Sequence, residues 1–321
     1  MKVLLIVPVH NRLEDVKLLL LSLLNLEVNN IALCIAIVDD ASDYPVQPAI
    51  EKKFSQFKLY YFRNNTPKGP GFSRNLAARA IASDFIWFLD SDTEIFNPQV
   101  LDYMLQKFDS DRSIGAIGGD MEKINDKKWV MEAVLHINYL GFFKSFPLQE
   151  YQPSYVKLIP TSNLLVRREM FELAEGFLED LLRDEDKDFC ITIRRLGYNC
   201  YQDSETVVWH KLSSAGRNSG FFAHFADPIQ YMRDYLKTRT RLLARHVHWR
   251  LLILPILDMV IVPIELYRIK IGLYPNSRLN KVANISSRKK YILFFNEYIK
   301  CYLWGVRFFF RQISLLTKKK Q

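Results

Sequence analysis

Four cysteines are scattered through 321 residues, Cys34, Cys190, Cys200 and Cys301, with no paired close spacing. Their scarcity argues against a zinc site and against a disulfide framework, and it fits a reducing compartment. No G-x-G-x-x-G follows the first apolar run, and G-x-x-x-x-G-K-[ST] occurs nowhere. A dinucleotide-binding oxidoreductase and a P-loop enzyme are both disfavoured on that ground. Internal repeats and low-complexity segments are absent. Long clean apolar runs are missing too. The run in MKVLLIVPVHNR is too short for a secretory signal, and Pro8, His10 and Asn11 follow it at once, so it reads as a first strand. Residues 251–267 (LLILPILDMVIVPIELY) are broken by Pro255, Asp258, Pro263 and Glu265. They fall short of the about 20 apolar residues of an ordinary spanning helix, and a buried or interfacial helix is expected there.

What is present is a 49% hydrophobic composition, enough for a sizeable core. The length suits one large domain with or without an appendage. Charge is unevenly spread. Residues 241–321 hold 16 Lys+Arg against 3 Asp+Glu, or +13; the other 240 residues hold 28 against 32, or −4. The formal net charge of +9 is therefore a property of the tail, which could face nucleic acid or anionic lipid.

The first half alternates strands with helices. Strands are expected at Lys2 to Val7, Ile31 to Val38, Lys58 to Phe62 and Ile86 to Leu89, with helices at Glu14 to Leu24, about Phe72 to Ala82, and after Pro98. That order predicts an α/β fold, a mostly parallel sheet with helices on both faces. Ligands of such sheets sit beyond the carboxyl ends of the strands. Pro8–Arg12, Asp39–Ser42 and Asp90–Asp92 all fall at that edge. Further on, a strand is expected near Ile114 to Gly119. Residues 122–157 lack a clear period and read as insertion and loop. Leu158 to Arg167 looks strand-like, and a helix follows near Glu169 to Ala174.

Ile86 to Leu89 end abruptly in Asp90, Ser91 and Asp92. Two carboxylates at the exit of a buried strand repel each other and lose hydration. A divalent cation removes both penalties, and carboxylate oxygens suit Mg²⁺ or Mn²⁺. A polar strand exit accounts for a lone Asp-x-Asp equally well. The six carboxylates between Glu179 and Asp188 have a similar second reading, as the negative first turn of a helix that Gly197 ends. His210 follows a short strand and precedes a Gly/Ser-rich stretch that suits a mobile lid. It is a ligand candidate or a structural histidine.

Taken together, PVHNR at 8–12, VDDAS at 38–42, SRN at 73–75, DSD at 90–92, EGF and EDKDFC within 175–190, and WHKLSS at 209–214 resemble the family-2 glycosyltransferases, which have the GT-A fold. The resemblance runs from residue 1 to about residue 245. It implies a GT-A catalytic domain over 1–245; the remainder, 246–321, reads from its own composition as a basic, aromatic, helical and membrane-associated region. It implies that Pro8, His10 and Arg12 hold the base and ribose of a nucleotide, and that Asp40, with Asp39 beside it, accepts from the base. By the same resemblance Arg74, Asp90 and Ser91 belong to the donor site. It also implies that Asp92 and His210 are metal ligands for Mn²⁺ or Mg²⁺ and that Asp186 is the general base. The chain departs from the family pattern at His10, where an aromatic is common, at Glu175-Gly176 in place of Gly-Gly, and at Leu178. The Q-x-x-R-W pattern of processive synthases is absent, which favours single-sugar addition from a nucleotide diphosphate sugar to a glycan or lipid-linked acceptor. A sugar nucleotidyltransferase and a non-catalytic membrane-associated scaffold are the competing readings. The Glu-Asp pair and His210 weigh against the first, the intact acidic set against the second.

In residues 291–316, Glu297, Lys300, Arg307 and Arg311 fall within roughly an 80° sector of a helix, with Phe294, Phe295, Ile299, Leu303, Phe308 and Phe309 outside it. Basic runs flank the segment at Arg288–Lys290 and Lys318–Lys320. This pattern suits an interfacial helix on an anionic membrane surface. Bulky apolar groups outnumber the basic ones, so nucleic acid is not the expected partner. The expected location is cytoplasmic, peripheral on the inner face of the cell membrane.

Overall fold

The computed structural model describes residues 1–124, 128–137, 143–147, 154–156, 158–179, 181, 184–211 and 213, together with single residues between 238 and 310. The expectations for 251–267, for most of 291–316 and for the segment after Ser213 lie outside the described residues. Packing divides the chain into two units, Met1–His136 with Lys144–Arg217, and Ile137–Phe143 with Asn218–Gln321.

The chain runs β1 (Lys2–Val9), α1 (Leu13–Ser22), β2 (Ala32–Asp39), α2 (Gln47–Glu51), β3 (Leu59–Arg63), α3 (Pro70–Ala80), β4 (Phe85–Leu89), β5 (Thr93–Glu94) and α4 (Val100–Ser110). It continues with β6 (Ile114–Gly118), β7 (Asp120–Ile124), β8 (Lys128–Ile137), β9 (Phe143–Pro147), β10 (Ser154–Val156), β11 (Asn163–Arg167), α5 (Arg168–Leu173), α6 (Glu185–Arg195), β12 (Asn199–Gln202) and β13 (Val208–His210). The main sheet has the order β10-β12-β6-β11-β4-β1-β2-β3. Strands β3, β2, β1 and β4 are mutually parallel, and β12 is parallel to β6. Strand β11 is antiparallel to both β4 and β6, and β10 is antiparallel to β12. A smaller sheet follows the order β5-β13-β7-β8-β9.

The continuous apolar runs of β1, β2 and β4 follow from burial on both faces. Val3, Leu5, Val7 and Val9 of β1 join one core with Val16, Leu19 and Leu20 of α1 and Leu101, Met104 and Phe108 of α4. Leu4 and Ile6 join the opposite core with Ala77 and Ala78 of α3, Met170 and Phe171 of α5, and Phe189 and Ile193 of α6. Helices therefore cover both faces, as the alternation predicts.

Helix α3 begins at Pro70 rather than Phe72. Proline lacks the N–H that a first helical residue cannot use anyway, and Gly69 before it takes φ +95°. Residues 122–157 are not simply insertion and loop: they contain β8, β9 and β10 and most of β7. Strands β7 and β8 pair locally as an antiparallel hairpin, while β7 also pairs with the distant β13 and β10 with the distant β12. Their stability comes from that pairing rather than from any local apolar run. The short polar strand β12 (NCYQ) escapes a pattern reading for the same reason.

Candidate active site

Strand β1 delivers Pro8 in register with Val38, and Val9 in register with Asp39. The two strand exits are then laced together. The Asp40 N–H donates to Val9 O at 2.8 Å. His10 Nδ1 lies 2.7 Å from the Asp40 carbonyl, which can only accept, so Nδ1 carries a proton and donates it there. Asn11 donates its N–H to Ser42 Oγ at 2.9 Å and accepts from the Asp43 N–H at 2.8 Å. Asn11 and Ala41 both hold left-handed backbone, φ +54° and +58°. Non-glycine residues accept that conformation at a cost, and it tends to mark functional turns.

The two adjacent aspartates have different partners. Asp39 is completely buried. It accepts from Ser42 N–H at 2.8 Å, Val46 N–H at 3.3 Å and Tyr61 Oη–H at 2.7 Å, and it is paired with Arg63. Burial alone would raise its pKa, but the hydrogen bonds from Tyr61, Ser42 and Val46 hold it below the usual carboxylate value. Burial, and then the hydrogen bond to Asp39 and its charge, push the Tyr61 phenol up to about 12 against the opposing Arg63. Asp40 accepts from Asn64 Nδ2 at 2.8 Å and from the Lys68 and Gly69 N–H groups at 2.7 and 2.9 Å. It thereby anchors the loop that leads into α3.

At the exit of β4, Asp90, Asp92 and His210 each offer a ligand atom, all within 4.8 Å of one another. Strand β13 brings His210 there by pairing it with Thr93. Ser91, between the two aspartates, is buried. Asp92 is 2% exposed. Its Oδ2 accepts from the Ser213 N–H at 2.8 Å. Its Oδ1 is fully buried and takes no directed hydrogen bond, although Arg12 Nη1 is 3.0 Å and His210 Nε2 3.5 Å away. Burial acts to raise the Asp92 pKa, but His210, Arg12 and the Ser213 N–H bring it down to about 2. Two carboxylates and an imidazole fit a hard or borderline dication, and the Asp92 oxygen without a hydrogen bond fits a ligand atom. Arg12 thus sits against Asp92 and, through Nη2, donates to Ser213 O at 2.9 Å.

Arg74 connects this cluster to α6. Its side chain is 2% exposed, with Nη2 2.6 Å from Asp90 Oδ1 and Nη1 2.6 Å from Glu185 Oε1. Burial would lower its pKa, but Asp90 and Glu185 raise it. Asn75 pins the turn before α6, accepting from Phe177 N–H at 2.9 Å and donating to Phe177 O at 2.8 Å. Gly71 makes the approach possible, since a Cβ there would stand 3.0 Å from Leu178 O. Glu175, where the family pattern has glycine, takes φ +62°. Glu185, Asp186 and Asp188 do form the acidic first turn of α6. Within the Glu-Asp pair, Glu185 is neutralised by Arg74. Asp186 is part-buried and accepts from the Lys187 N–H at 2.7 Å. Burial, then Glu185 and Asp184, push its pKa up to about 7 against the opposing Lys187.

All eleven residues singled out in the sequence lie at strand exits or on the helices joined to them, in two clusters. Pro8, His10, Asp39 and Asp40 form one; Arg12, Arg74, Asp90, Ser91, Asp92 and His210 form the other, and Asp186 directly follows Glu185, which Arg74 holds. Sequence reasoning missed Tyr61, Arg63, Asn64, Glu185 and Ser213 as partners. Register offered one signal: Arg63 ends β3 opposite Asp39, as a strand-end alignment would place it.

A mostly parallel sheet with one antiparallel strand beside β4, and an acidic rim at its carboxyl edge, defines a glycosyltransferase of the GT-A type. The chain belongs to glycosyl transferase family 2, whose model matches residues 4–173. An uncharacterized glycosyltransferase of Haemophilus influenzae is 28% identical over 249 residues, 73% of this chain and 76% of that protein. The fold is shared with S. aureus TarS 1-349 in complex with UDP-GlcNAc, at TM-score 0.58 and 18% identity over 94% of this chain and 82% of the other. It is also shared with the mannosyltransferase PcManGT from Pyrobaculum calidifontis in complex with GDP-Man and Mn²⁺, at TM-score 0.57 and 14% identity over 92% and 86%.

Proposed function

We propose that this glycosyltransferase is metal-dependent and inverting, and moves one sugar from a nucleotide diphosphate sugar to a glycan or lipid-linked acceptor. The observation that carries the reading is the Arg74 bridge, which ties the Asp90–Asp92–His210 cluster to the turn bearing Asp186. A leaving-group site and a base on opposite sides of a sugar are what a single in-line displacement needs. The neighbours solved with UDP-GlcNAc and with GDP-Man and Mn²⁺ support a nucleotide-sugar donor and a dication.

Asp90, Asp92 and His210 would hold the metal, which supplies Lewis-acid stabilisation to the departing diphosphate. The base and ribose would lie against the rim of Pro8, His10 and Asp40. Arg74, buried between two carboxylates, fixes their positions and with them the spacing of the two halves. Asp186 accepts the proton of the acceptor hydroxyl as that oxygen attacks the anomeric carbon, and one displacement inverts the centre. A panel of sugar nucleotides assayed with and without Mn²⁺ tests the reading. Turnover of at least one donor that disappears on chelation is expected. Equal turnover after complete metal removal would refute the metal dependence, and a retained anomer would refute the single displacement.

We propose in addition that the basic, aromatic C-terminal region attaches the enzyme to the anionic inner face of the cell membrane. Its +13 charge over residues 241–321 supports this. Among the described residues no helix is long and apolar enough to cross a membrane. The protein should sediment with anionic liposomes at low salt and be released at high salt. Recovery in the supernatant under both conditions would end the attachment proposal.

A further inference from the structure

Arg12 occupies a place that the nucleotide-binding expectation does not explain. Its backbone carbonyl accepts the Val16 N–H at 3.1 Å at the start of α1, so its base is fixed to a helix. Its guanidinium closes a ring with two other residues. Nη1 meets Asp92 Oδ1 at 3.0 Å, Nη2 donates to Ser213 O at 2.9 Å, and the Ser213 N–H returns to Asp92 Oδ2 at 2.8 Å. The Arg12 side chain is 19% exposed and that of Asp92 only 2%, so water screens the pair weakly. The oxygen that faces Arg12 is also the one that faces His210 Nε2, at 3.5 Å. A dication shared by Asp92 and His210 would therefore take up position beside a fixed positive charge.

We propose that Arg12 is an internal counter-cation of Asp92, which keeps the metal site weak until a nucleoside diphosphate arrives. The proposal rests on the metal reading above and adds a residue that sets when the metal binds. With no nucleotide, the guanidinium neutralises Asp92 and repels the incoming ion. A diphosphate offers the planar guanidinium of Arg12 a bidentate anionic partner of the kind it prefers. Its negative charge also offsets the repulsion. Metal and donor then favour each other by the same factor, because such coupling is reciprocal. Until the nucleotide arrives, Arg12 acts through Asp92 as a positioning residue.

The test is a Mn²⁺ titration of the full chain, read by the paramagnetic resonance of free Mn²⁺, with protein alone and with UDP or GDP added. Arg12→Gln removes the charge and keeps a donor for Ser213 O; Arg12→Lys keeps the charge. Arg12→Gln should bind Mn²⁺ alone about tenfold more tightly than wild type, with Arg12→Lys within about twofold of wild type. Nucleotide should tighten Mn²⁺ binding less in Arg12→Gln than in wild type. Equal or weaker binding of Mn²⁺ by folded Arg12→Gln, while wild type with nucleotide binds it and Asp92→Ala does not, overturns this inference and leaves the metal reading standing. No Asp92-dependent Mn²⁺ binding in any sample would remove the metal reading and the inference together. Should Arg12→Gln fail to fold, Arg12→Ser carries the same comparison.

Discussion

Asp186→Asn lowers kcat by about 10²- to 10⁴-fold and leaves nucleotide and Mn²⁺ binding close to wild type. Substituting an amide for the carboxylate keeps the size and removes only the proton acceptor. Burial and the carboxylates of Glu185 and Asp184 push the Asp186 pKa up to about 7, with Lys187 opposing them. The base must be ionised to act. Wild-type kcat should therefore fall about tenfold per pH unit below that value and level off above it. The folded protein holds this proton more tightly than the unfolded chain, so the Asp186 contribution to stability is present at low pH. It is lost as pH rises from the unfolded value through about 7. Asp186→Asn should then be the more stable protein at pH 8, by thermal melting. A carboxylate kept at the cost of stability is expected of a working base rather than a structural one. Near-normal turnover in Asp186→Asn would assign the base elsewhere.

Arg74→Met destabilises the fold by about 3–5 kcal/mol, because it leaves Glu185 buried with its charge uncompensated. Asp90 is 29% exposed and recovers some hydration, whereas Glu185 at 7% recovers little. Most of the loss should therefore trace to Glu185. The double variant Arg74→Met/Glu185→Gln should regain part of it, and a double-mutant cycle measures how much. Denaturant unfolding of the four proteins provides the comparison. A loss below about 1 kcal/mol in Arg74→Met would mean that the bridge does not hold α6 against the β4 exit.

The parts of the fold legible in the sequence are those that local burial dictates. β1, β2 and β4 are buried on both faces, and their uninterrupted apolar runs announce them. The acidic cluster at the end of β4 was visible because Asp90 and Asp92 sit directly after such a run. Partners were not visible. Arg74 meets Asp90 and Glu185, which lie 16 and 111 residues away, and only the packing of α3 against the turn before α6 joins them. VDDAS likewise displays two similar aspartates, but Asp39 is closed in by Tyr61, Arg63 and the following turn while Asp40 ties down the loop before α3. No spacing rule separates those two roles. Strands β7 to β10 lack a clear sequence period, and two of them, β7 and β10, are placed by pairing with the distant β13 and β12.

The most direct test of the central claim, a dication held across from a base at one rim, is anomalous scattering at the manganese edge from crystals grown with Mn²⁺ and a nucleoside diphosphate. The account predicts one peak bounded by Asp90, Asp92 and His210, in contact with the diphosphate and on the side of the cleft opposite Asp186, and its loss in Asp92→Ala. Nucleotide bound with no manganese at that cluster, or manganese bound away from it, would contradict the account.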